Sequence, residues 1–477
     1  CDDRLLFLNC GHGRRCQADH HSVAVVYTCW ADYHGGGILW REMVSEMRKD
    51  RKKLVLMSLI LAGVLNGQTY EHSEVIEVPD MSFLPGVFTG LDVLEERGFD
   101  LIEGKRLAVL TNQTSLNRSG IHLLDLLSRD KERFDVQIIF TPQFGILTEP
   151  NRSLIPPPDG IDRRFGAPVK NLWGRQYKPN SRDFRNVDMV VIDVQDTGVR
   201  FHTVMTTVTK MLEAAVDFDK PVVLLDRPNP INGNSLEGPV VRPSFQSLLG
   251  YHLVPLRHGM TIGEYALMVN ETGWIRESRT CKLTIVPMSS WRRDMWIDET
   301  GLVRSPLWKG SYSGETLAAS LGMGLLEGTN ISFGEGTETP YRVVGAPWLV
   351  PDQLLRGLER AGLQGVSFEA VTFRPDSLSP LLGRPIYRGE TCYGARLIIT
   401  DRQKFRPLET AVTILSLIAQ LEPRRFKWTG NNYVDSLYGH NYLRVFIAQE
   451  RDISKLPATW SQEVIQFNQF RKKFLLY

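Results

Sequence analysis

The chain has 477 residues, of which 42% are hydrophobic and 23% charged, a composition typical of a globular protein with a sizeable core. Lysine and arginine total 56 against 54 aspartates and glutamates, which gives a net charge of +2. A balance this close to neutral gives no electrostatic case for nucleic acid, so we expect no nucleic-acid partner. The length suggests two or three domains.

Residues 1–46 differ in composition from the rest of the chain. They contain four of the six cysteines and four of the ten histidines, but no Cys-x-x-Cys pair with a later His-x3-His, the spacing typical of a zinc site. The segment begins without Met and shows no helical or strand period, and a plausible start codon follows at Met47. We therefore interpret residues 1–46 as upstream translation and expect no metal site in the chain.

A basic cluster and an apolar run follow Met47. Five of the next six residues are basic, the run Leu54–Leu65 is interrupted only by Ser58, and the small residue Gly67 comes shortly after it. This order is typical of a secretory signal peptide, and the run is too short for a comfortable membrane span. No cysteine follows it to carry a lipid, so we expect no stable membrane anchor. A buried helix is the alternative interpretation of residues 47–67.

Short apolar runs alternate with helical segments between residues 87 and 258, after a linker at 68–86. Four of the runs predict strands, at 107–110, 136–140, 189–194 and 221–225. Near-continuous apolar strands separated by helices are buried on both faces, which predicts an α/β fold with a Rossmann-like parallel sheet. No Gly-x-Gly-x-x-Gly or Walker-type loop follows any strand, so this fold need not imply a dinucleotide or ATP site.

Residues 259–477 have a more mixed pattern, which predicts a smaller α+β C-terminal domain. Its predicted elements are helices at 262–270, 354–361 and 408–421 and strands at 283–287 and 395–400. The segment 305–347 is rich in Gly, Ser and Thr and is interpreted as a long functional loop that can fold over the first domain. Cys281 and Cys392 lie 111 positions apart and could pair in an oxidising compartment, but two cysteines form no disulfide framework, so they stay unassigned.

Polar side chains follow the predicted strands at the point where each strand ends. Asp193 and Asp196 follow the third run, and Asp226 and Arg227 follow the fourth. Ligands of such sheets bind at the carboxyl ends of the strands, where carboxylates suit sugar hydroxyls and an arginine suits a carboxylate on the sugar. In the alternative interpretation, Asp193 and Asp226 cap helices or hold turns, and Arg227 is their structural partner.

Six stretches of the chain, in the same order and at comparable spacing, resemble the landmarks of the exo-β-N-acetylmuramidase family. They are VFTGLDVLEERGFDLIEGKRLAVLTNQTS (87–115), DVQDTGVRFHT (193–203), LDRPNPINGNSLEGP (225–239), RHGMTIGE (257–264), LLEGTN (325–330) and GAPW (345–348). The resemblance implies a Rossmann-like catalytic domain followed by a smaller α/β domain. It also implies removal of terminal N-acetylmuramic acid from the non-reducing end of peptidoglycan fragments, without a metal or organic cofactor.

The polar residues of these landmarks are the predicted contacts of a peptidoglycan-derived sugar or muropeptide. The substrate-binding candidates are Asn112, Asp193, Asp196, Arg200, Asp226, Arg227, Asn229, Glu237, His258 and Asn330.

The chain departs from the family pattern at two places. The family carries Ser-Pro-Glu-His-Gly after the second strand, and its Glu is the proposed catalytic acid, whereas this chain has Gln143 and Phe144 at the two central positions. A neutral amide cannot supply the proton that the leaving oxygen needs, and a phenyl ring forms no hydrogen bond of the imidazole kind. After Asn330 the family's Ser-Glu-Gly-Arg-Gly-Thr is Ser-Phe-Gly-Glu-Gly-Thr, which introduces Glu335.

Two functions follow as hypotheses from this departure. In the first, the chain is an exo-acting glycosidase whose catalytic candidates are Gln143, at the place of the family's Glu, and Glu149 or Glu335 as a substitute acid. In the second, it binds a muramyl sugar outside the cytoplasm without cutting it.

The basic cluster and apolar run predict export. The protein should be recovered outside the cytoplasm, periplasmic or secreted, with a new N-terminus close to Gln68, because a signal peptide is removed after its small residue. N-terminal sequencing of the extracytoplasmic fraction checks this, and recovery of cytosolic protein that still carries Met47 would contradict it.

Overall fold

The computed structural model describes residues 73–79, 81, 85–143, 145, 159–174, 176–276, 279–305, 313–376 and 385–477. Residues 1–67, with the predicted upstream segment and signal peptide, lie outside the described residues, and so does the candidate Glu149. No helix in the described part of the chain is both long and apolar enough to cross a membrane.

Thirteen strands and ten α-helices are present in the described part of the chain. The strands are β1 (Ser73–Val75), β2 (Arg106–Thr111), β3 (Asp135–Thr141), β4 (Gly160–Ile161), β5 (Pro168–Asn171), β6 (Met189–Asp193), β7 (Val222–Leu225), β8 (Glu237–Val240), β9 (Pro255–Arg257), β10 (Leu283–Val286), β11 (Val343–Ala346), β12 (Val366–Phe373) and β13 (Cys392–Ile399). The helices are α1 (Gly90–Glu96), α2 (Leu123–Ser128), α3 (Val204–Asp217), α4 (Ile262–Glu271), α5 (Gly314–Met323), α6 (Pro351–Ala361), α7 (Pro407–Leu421), α8 (Tyr433–Tyr438), α9 (Tyr442–Ala448) and α10 (Ser461–Arg471).

The large sheet has the order β1-β10-β7-β6-β2-β3-β5-β4, and all its pairings are parallel except that of β4 with β5. The four predicted apolar runs are β2, β3, β6 and β7, so the predicted parallel α/β sheet is confirmed. Their side chains are almost entirely buried, as expected for strands covered by helices on both faces. A second sheet, β11-β13-β12, is antiparallel and belongs to the smaller C-terminal part.

Two sequence predictions about the second half of the chain need correction. Strand β10 pairs with β7 in the large sheet, so the first domain extends beyond the boundary predicted at residue 258. The predicted long loop at 305–347 contains helix α5 and strand β11. Helix α5 was missed because its small residues, in Gly-Glu-Thr-Leu-Ala-Ala-Ser-Leu-Gly-Met, give almost no amphipathic contrast: it is buried nearly all round. Cys281 and Cys392 are both buried and free.

The segment after α10 packs against the carboxyl edge of the large sheet. The hydroxyl of Tyr477 donates to Oδ2 of Asp226 at 2.9 Å and accepts from the backbone N–H of Met288 at 2.7 Å. Because Asp226 is fully buried at the end of β7, this hydroxyl satisfies groups that water does not reach.

Replacing Tyr477 by Phe should lower the free energy of unfolding by about 1–3 kcal/mol, since it leaves the Met288 N–H and one oxygen of Asp226 without this partner. Equilibrium urea unfolding measures the change. Tyr177→Phe is the matched control, because Tyr177 is 39% exposed and its hydroxyl has no hydrogen bond with the described residues. Equal stability of the two variants would contradict the inferred role of Tyr477.

Candidate functional site

Polar loops meet at the carboxyl edge of the large sheet, where the parallel strands β2, β3, β6 and β7 all end. Oδ1 of Asn112, after β2, accepts from the backbone N–H of Thr114 at 3.0 Å. The hydroxyl of Thr114 accepts in turn from the backbone N–H of Gln195, after β6, at 3.1 Å. Gln195 then donates to the carbonyl of Pro228, after β7, at 2.7 Å. Three strand-end loops are therefore connected by side chains.

Gln143 joins this edge through the loop after β3. Its Oε1 accepts a hydrogen bond of 3.0 Å from the hydroxyl of Thr203, the residue that precedes α3. The two residues before it are held by Asn171 at the end of β5, whose Nδ2 donates to the Thr141 hydroxyl at 3.1 Å and to the Pro142 carbonyl at 2.8 Å. The amide of Gln143 thus lies beside the loop after β6, and its role in catalysis stays a prediction.

Asp193 and Arg227 form a buried ion pair between the ends of β6 and β7. Nε of Arg227 donates to Oδ1 of Asp193 at 2.5 Å and NH2 donates to Oδ2 at 2.8 Å, while NH1 donates to the carbonyl of Leu116 at 3.1 Å. The two side chains are 0% and 5% exposed. This bidentate ion pair agrees with the interpretation in which Arg227 is the structural partner of the strand-end aspartates. Contact of either residue with a sugar stays a prediction.

Asp226 and Glu237 each accept hydrogen bonds at the N-terminus of a helix. Asp226 accepts from the Thr261 hydroxyl and the Gly263 N–H, both at 2.7 Å, at the start of α4. Oε1 of Glu237 accepts from the N–H groups of Leu408 and Glu409 at 3.0 and 3.2 Å, at the start of α7. Helix N-termini favour such carboxylates, yet burial dominates and raises the pKa of each to about 7.

Three further predicted contacts are engaged by the protein backbone. Arg200 is 2% exposed and donates to three carbonyls at 2.8–3.0 Å, and burial lowers its pKa to about 9. Asn229 donates to the carbonyl of Met260 at 2.9 Å, and Asn330 bonds to the backbone around residues 425–427. Their contact with a sugar remains a prediction, and the geometry shows each one joining segments distant in the sequence.

His258 and Asp196 lie together at the centre of this edge. His258 is fully buried, and its Nε2 is 3.2 Å from Oδ2 of Asp196, which is 2% exposed. No group of three His, Cys, Asp or Glu side chains in the described ranges is arranged to hold a metal ion.

Two further residues of the landmark motifs, His202 and Glu327, also lie in this region. His202 contacts the Thr197 hydroxyl through Nδ1 at 2.7 Å, and burial lowers its pKa to about 4, so the ring is neutral at neutral pH. Glu327 belongs to the 3₁₀ segment Gly324–Gly328, which packs on Phe201 next to His202: a Cβ added to Gly324 would lie 2.6 Å from the Phe201 ring.

Glu327 is a carboxylic acid at neutral pH. Burial and the neighbouring Glu335 raise its pKa to about 8. Glu335, one of the predicted catalytic candidates, is 3% exposed. Burial and the nearby Glu327 together raise the pKa of the Tyr341 and Tyr433 hydroxyls, so the Glu327 carboxyl lies close to these two rings. The sequence signal for Glu327 was its place in the Leu-Leu-Glu-Gly-Thr-Asn landmark.

The fold and this edge define a two-domain α/β protein with a cluster of polar side chains at the carboxyl ends of a Rossmann-like sheet. The chain belongs to the exo-β-N-acetylmuramidase NamZ family: the family's N-terminal domain matches residues 107–307 and its C-terminal domain residues 321–477. It is 33% identical over 396 residues to the peptidoglycan β-N-acetylmuramidase NamZ of Bacillus subtilis (strain 168), covering 82% of this chain and 92% of that protein. Membership assigns the chain, at the level of the family, to the glycoside hydrolases.

Solved structures agree with this assignment. Two crystal structures of DUF1343 family proteins from Bacteroides fragilis NCTC 9343 superpose with TM-scores of 0.74 and 0.64, at 27% and 25% sequence identity. Each comparison covers 82% of this chain and 99% of the other. The two-domain α/β fold is therefore shared along nearly the full length of the two Bacteroides proteins and along 82% of this chain.

The buried Glu237 should make the free energy of unfolding fall as the pH rises. Its folded pKa of about 7 lies above the ordinary value of 4.5, so its contribution to stability is full below about pH 4.5 and is lost as the pH rises towards 7. The side chain of the Glu237→Gln variant cannot ionise, so it does not lose this stability as the pH rises. Its amide oxygen can still accept from the N–H groups at the start of α7. Between pH 4.5 and 8 the variant should therefore gain up to about 3 kcal/mol relative to wild type.

Urea unfolding of both proteins across this pH range measures the difference. The exposed Glu369→Gln provides the control and should unfold in parallel with wild type. A difference between Glu237→Gln and wild type that stays constant with pH would show that Glu237 is ionised in the folded protein.

Proposed function

We propose that this chain is an exo-acting glycosidase that releases terminal N-acetylmuramic acid, or a closely related sugar, from peptidoglycan fragments outside the cytoplasm. The observation that carries the proposal is the NamZ family match over both domains, together with the cluster of polar side chains at the strand ends. The B. subtilis relative named for this activity aligns with most of the chain, including the strand-end motifs. The proposed location agrees with the predicted export signal at residues 47–67.

The proton donor decides how fast such an enzyme works. At the place of the family's Glu this chain has Gln143, whose amide accepts from Thr203 and has no proton to release to a leaving oxygen. We expect slow cleavage of unactivated glycans for this reason. Glu327 and Glu335, in the C-terminal part of the chain, are the described carboxyls that we consider as partial substitutes for the missing acid. Burial and the neighbouring Glu335 raise the pKa of Glu327 to about 8, which favours its protonated form at neutral pH.

Binding without cleavage is the second candidate function. It is favoured by the same observation, because Gln143 preserves the size and the hydrogen-bond acceptor of a Glu at this place while removing its acidity. A protein of this kind would retain affinity for a muramyl sugar and lose turnover.

Restoring the acid tests both candidates. Gln143→Glu should raise hydrolysis of a muramyl disaccharide by at least one to two orders of magnitude, since a positioned general acid contributes roughly 10²–10⁴-fold. One carboxyl oxygen can accept from Thr203 as the amide does, so affinity for N-acetylmuramic acid should change little. The double change Gln143→Glu with Phe144→His restores both family residues and is the stronger version. Rates come from reducing-sugar release, and affinities from calorimetry.

Gln353→Glu, on an exposed turn of α6, is the matched control and should change neither quantity. Rapid turnover by the wild-type protein that Glu335→Gln, Glu149→Gln or Glu327→Gln abolishes would place the acid elsewhere and contradict our account of Gln143. Absence of both binding and cleavage in wild type and in the double variant would refute the proposed substrate.

A further inference from the structure

Asp196 is a strand-end carboxylate with one oxygen still available. Its Oδ2 accepts from the backbone N–H of Gly198 at 2.7 Å and lies 3.2 Å from Nε2 of His258. Its Oδ1 is buried and has no hydrogen-bond partner in the part of the chain that the structure describes. A buried acceptor without a partner costs about 1–3 kcal/mol, so its retention among the polar side chains at this edge indicates a ligand for that oxygen.

The two other aspartates at this edge are fully occupied by the protein. Both oxygens of Asp193 are bound by Arg227. Oδ1 of Asp226 accepts from the backbone N–H groups of Arg227 and Gly263. Its Oδ2 accepts from the hydroxyls of Thr261 and Tyr477. Of these three strand-end aspartates, only Asp196 is able to offer an oxygen to a substrate or a water molecule.

His258 is held in one tautomer and faces Asp196. The backbone N–H of Met260 donates to Nδ1 of His258 at 3.2 Å, so Nδ1 carries a lone pair and the neutral ring has its proton on Nε2. Nε2 lies 3.2 Å from Oδ2 of Asp196 without forming a hydrogen bond to it. Oδ1 of Asp196 is therefore the oxygen that remains available.

The turn around Asp196 is built to hold this orientation. Gly198 has φ +79°, and a Cβ there would lie 2.6 Å from Oδ1 of Asn229, so the N–H that binds Asp196 requires glycine. On the other side, the guanidinium of Arg471 donates to the carbonyls of His258 and Gly259. The carboxylate is therefore positioned by its own turn, and the backbone of the histidine by Arg471, which lies 213 positions away.

We propose that Asp196 is the general base of the reaction and that His258 is its positioning residue; this inference rests on the proposed glycosidase function. Oδ1 of Asp196 takes a proton from a water molecule as the water oxygen bonds to the anomeric carbon. The glycosidic C–O bond breaks and its electron pair goes to the leaving oxygen, which is protonated by a general acid or leaves as a stable anion. Asp196 then returns its proton to solvent. Direct attack by water inverts the anomeric configuration.

A substrate whose leaving group needs no protonation separates this base from the missing acid. With 4-nitrophenyl β-N-acetylmuramide, Gln143 does not limit the rate, and wild type should turn over. Asp196→Ala should lower kcat by roughly 10²-fold or more, with little change in KM. Azide, which needs no deprotonation, should restore the rate and give the α-azide of N-acetylmuramic acid, identified by NMR.

Further variants protect the test against misfolding and against a purely structural role. Asp196→Asn keeps an acceptor for Gly198 and should lose activity to a similar degree while it retains affinity for N-acetylmuramic acid. His258→Ala should lower kcat with KM nearly unchanged. Asp188→Asn, at the opposite end of β6, where Asp188 pairs with Arg106, is the matched control and should keep the wild-type rate within about twofold.

Three results would overturn the assignment of Asp196. The first is near wild-type kcat for folded Asp196→Ala. The second is a loss of activity that azide does not rescue, as expected if this carboxylate instead orients the acetamido group of the sugar. The third is a wild-type protein that binds N-acetylmuramic acid but does not cleave the nitrophenyl substrate, which refutes the base and leaves the binding function. Absence of both binding and cleavage refutes the proposed function itself.

Discussion

The fully buried carboxylate of Asp226 connects three parts of the chain that lie far apart in sequence. It accepts from the backbone N–H of Arg227 beside it, from Thr261 and Gly263 at the start of α4, and from the hydroxyl of Tyr477. A buried carboxylate without such donors is strongly unfavourable, so strand β7, helix α4 and the segment after α10 have to meet at this point. The carboxyl edge of the sheet is thereby fixed before any ligand arrives.

The acidic residues of this edge differ in how many of their oxygens accept hydrogen bonds from the protein. Both oxygens of Asp193 and of Asp226 do so. Glu237 and Asp196 each keep one buried oxygen without a partner among the described residues, but Glu237 holds the start of α7 with its other oxygen, whereas Asp196 lies beside His258 after β6. In the proposed reaction, groups that the protein fixes in advance would hold Asp196 in place, so no reorganisation is needed.

Much of the fold could be predicted because its strands are apolar runs bounded by turn residues. The parallel arrangement of β2, β3, β6 and β7 in one sheet follows from that pattern, whereas their order in the sheet does not. Strand β10 was placed in the second domain because its pairing with β7 is non-local, and nothing in Leu-Thr-Ile-Val states which sheet it joins. Helix α5 was missed because burial on all sides leaves no periodic contrast.

That polar side chains gather at the carboxyl ends of the strands follows from the parallel pattern, but the roles of these residues do not. An aspartate that ends a strand has the same local sequence whether it caps a helix, pairs with arginine or faces a ligand. What separates Asp226 from Asp196 is a set of donors that includes Thr261 and Tyr477, 35 and 251 positions away, and for Glu237 the partner is the N–H of Leu408, 171 positions away. Such partners are set by tertiary structure, which a single sequence does not display.

The proposed base, together with Gln143 at the place of the family's Glu, has a consequence for the kind of glycan that the proposed reaction would favour. Water attack would depend on Asp196, whereas departure of the leaving oxygen depends on a proton that Gln143 cannot supply. The rate should then depend steeply on the leaving group: a sugar alcohol leaves poorly without protonation, and a more acidic hydroxyl leaves more readily. Glu327, whose pKa burial and the neighbouring Glu335 raise to about 8, belongs to the 3₁₀ segment that packs on Phe201 and not to the loop after β3. A proton supplied from that segment would suit a leaving oxygen oriented differently from one served by a Glu at position 143, so we expect the linkage preference of the proposed reaction to differ from the family's as well as its rate.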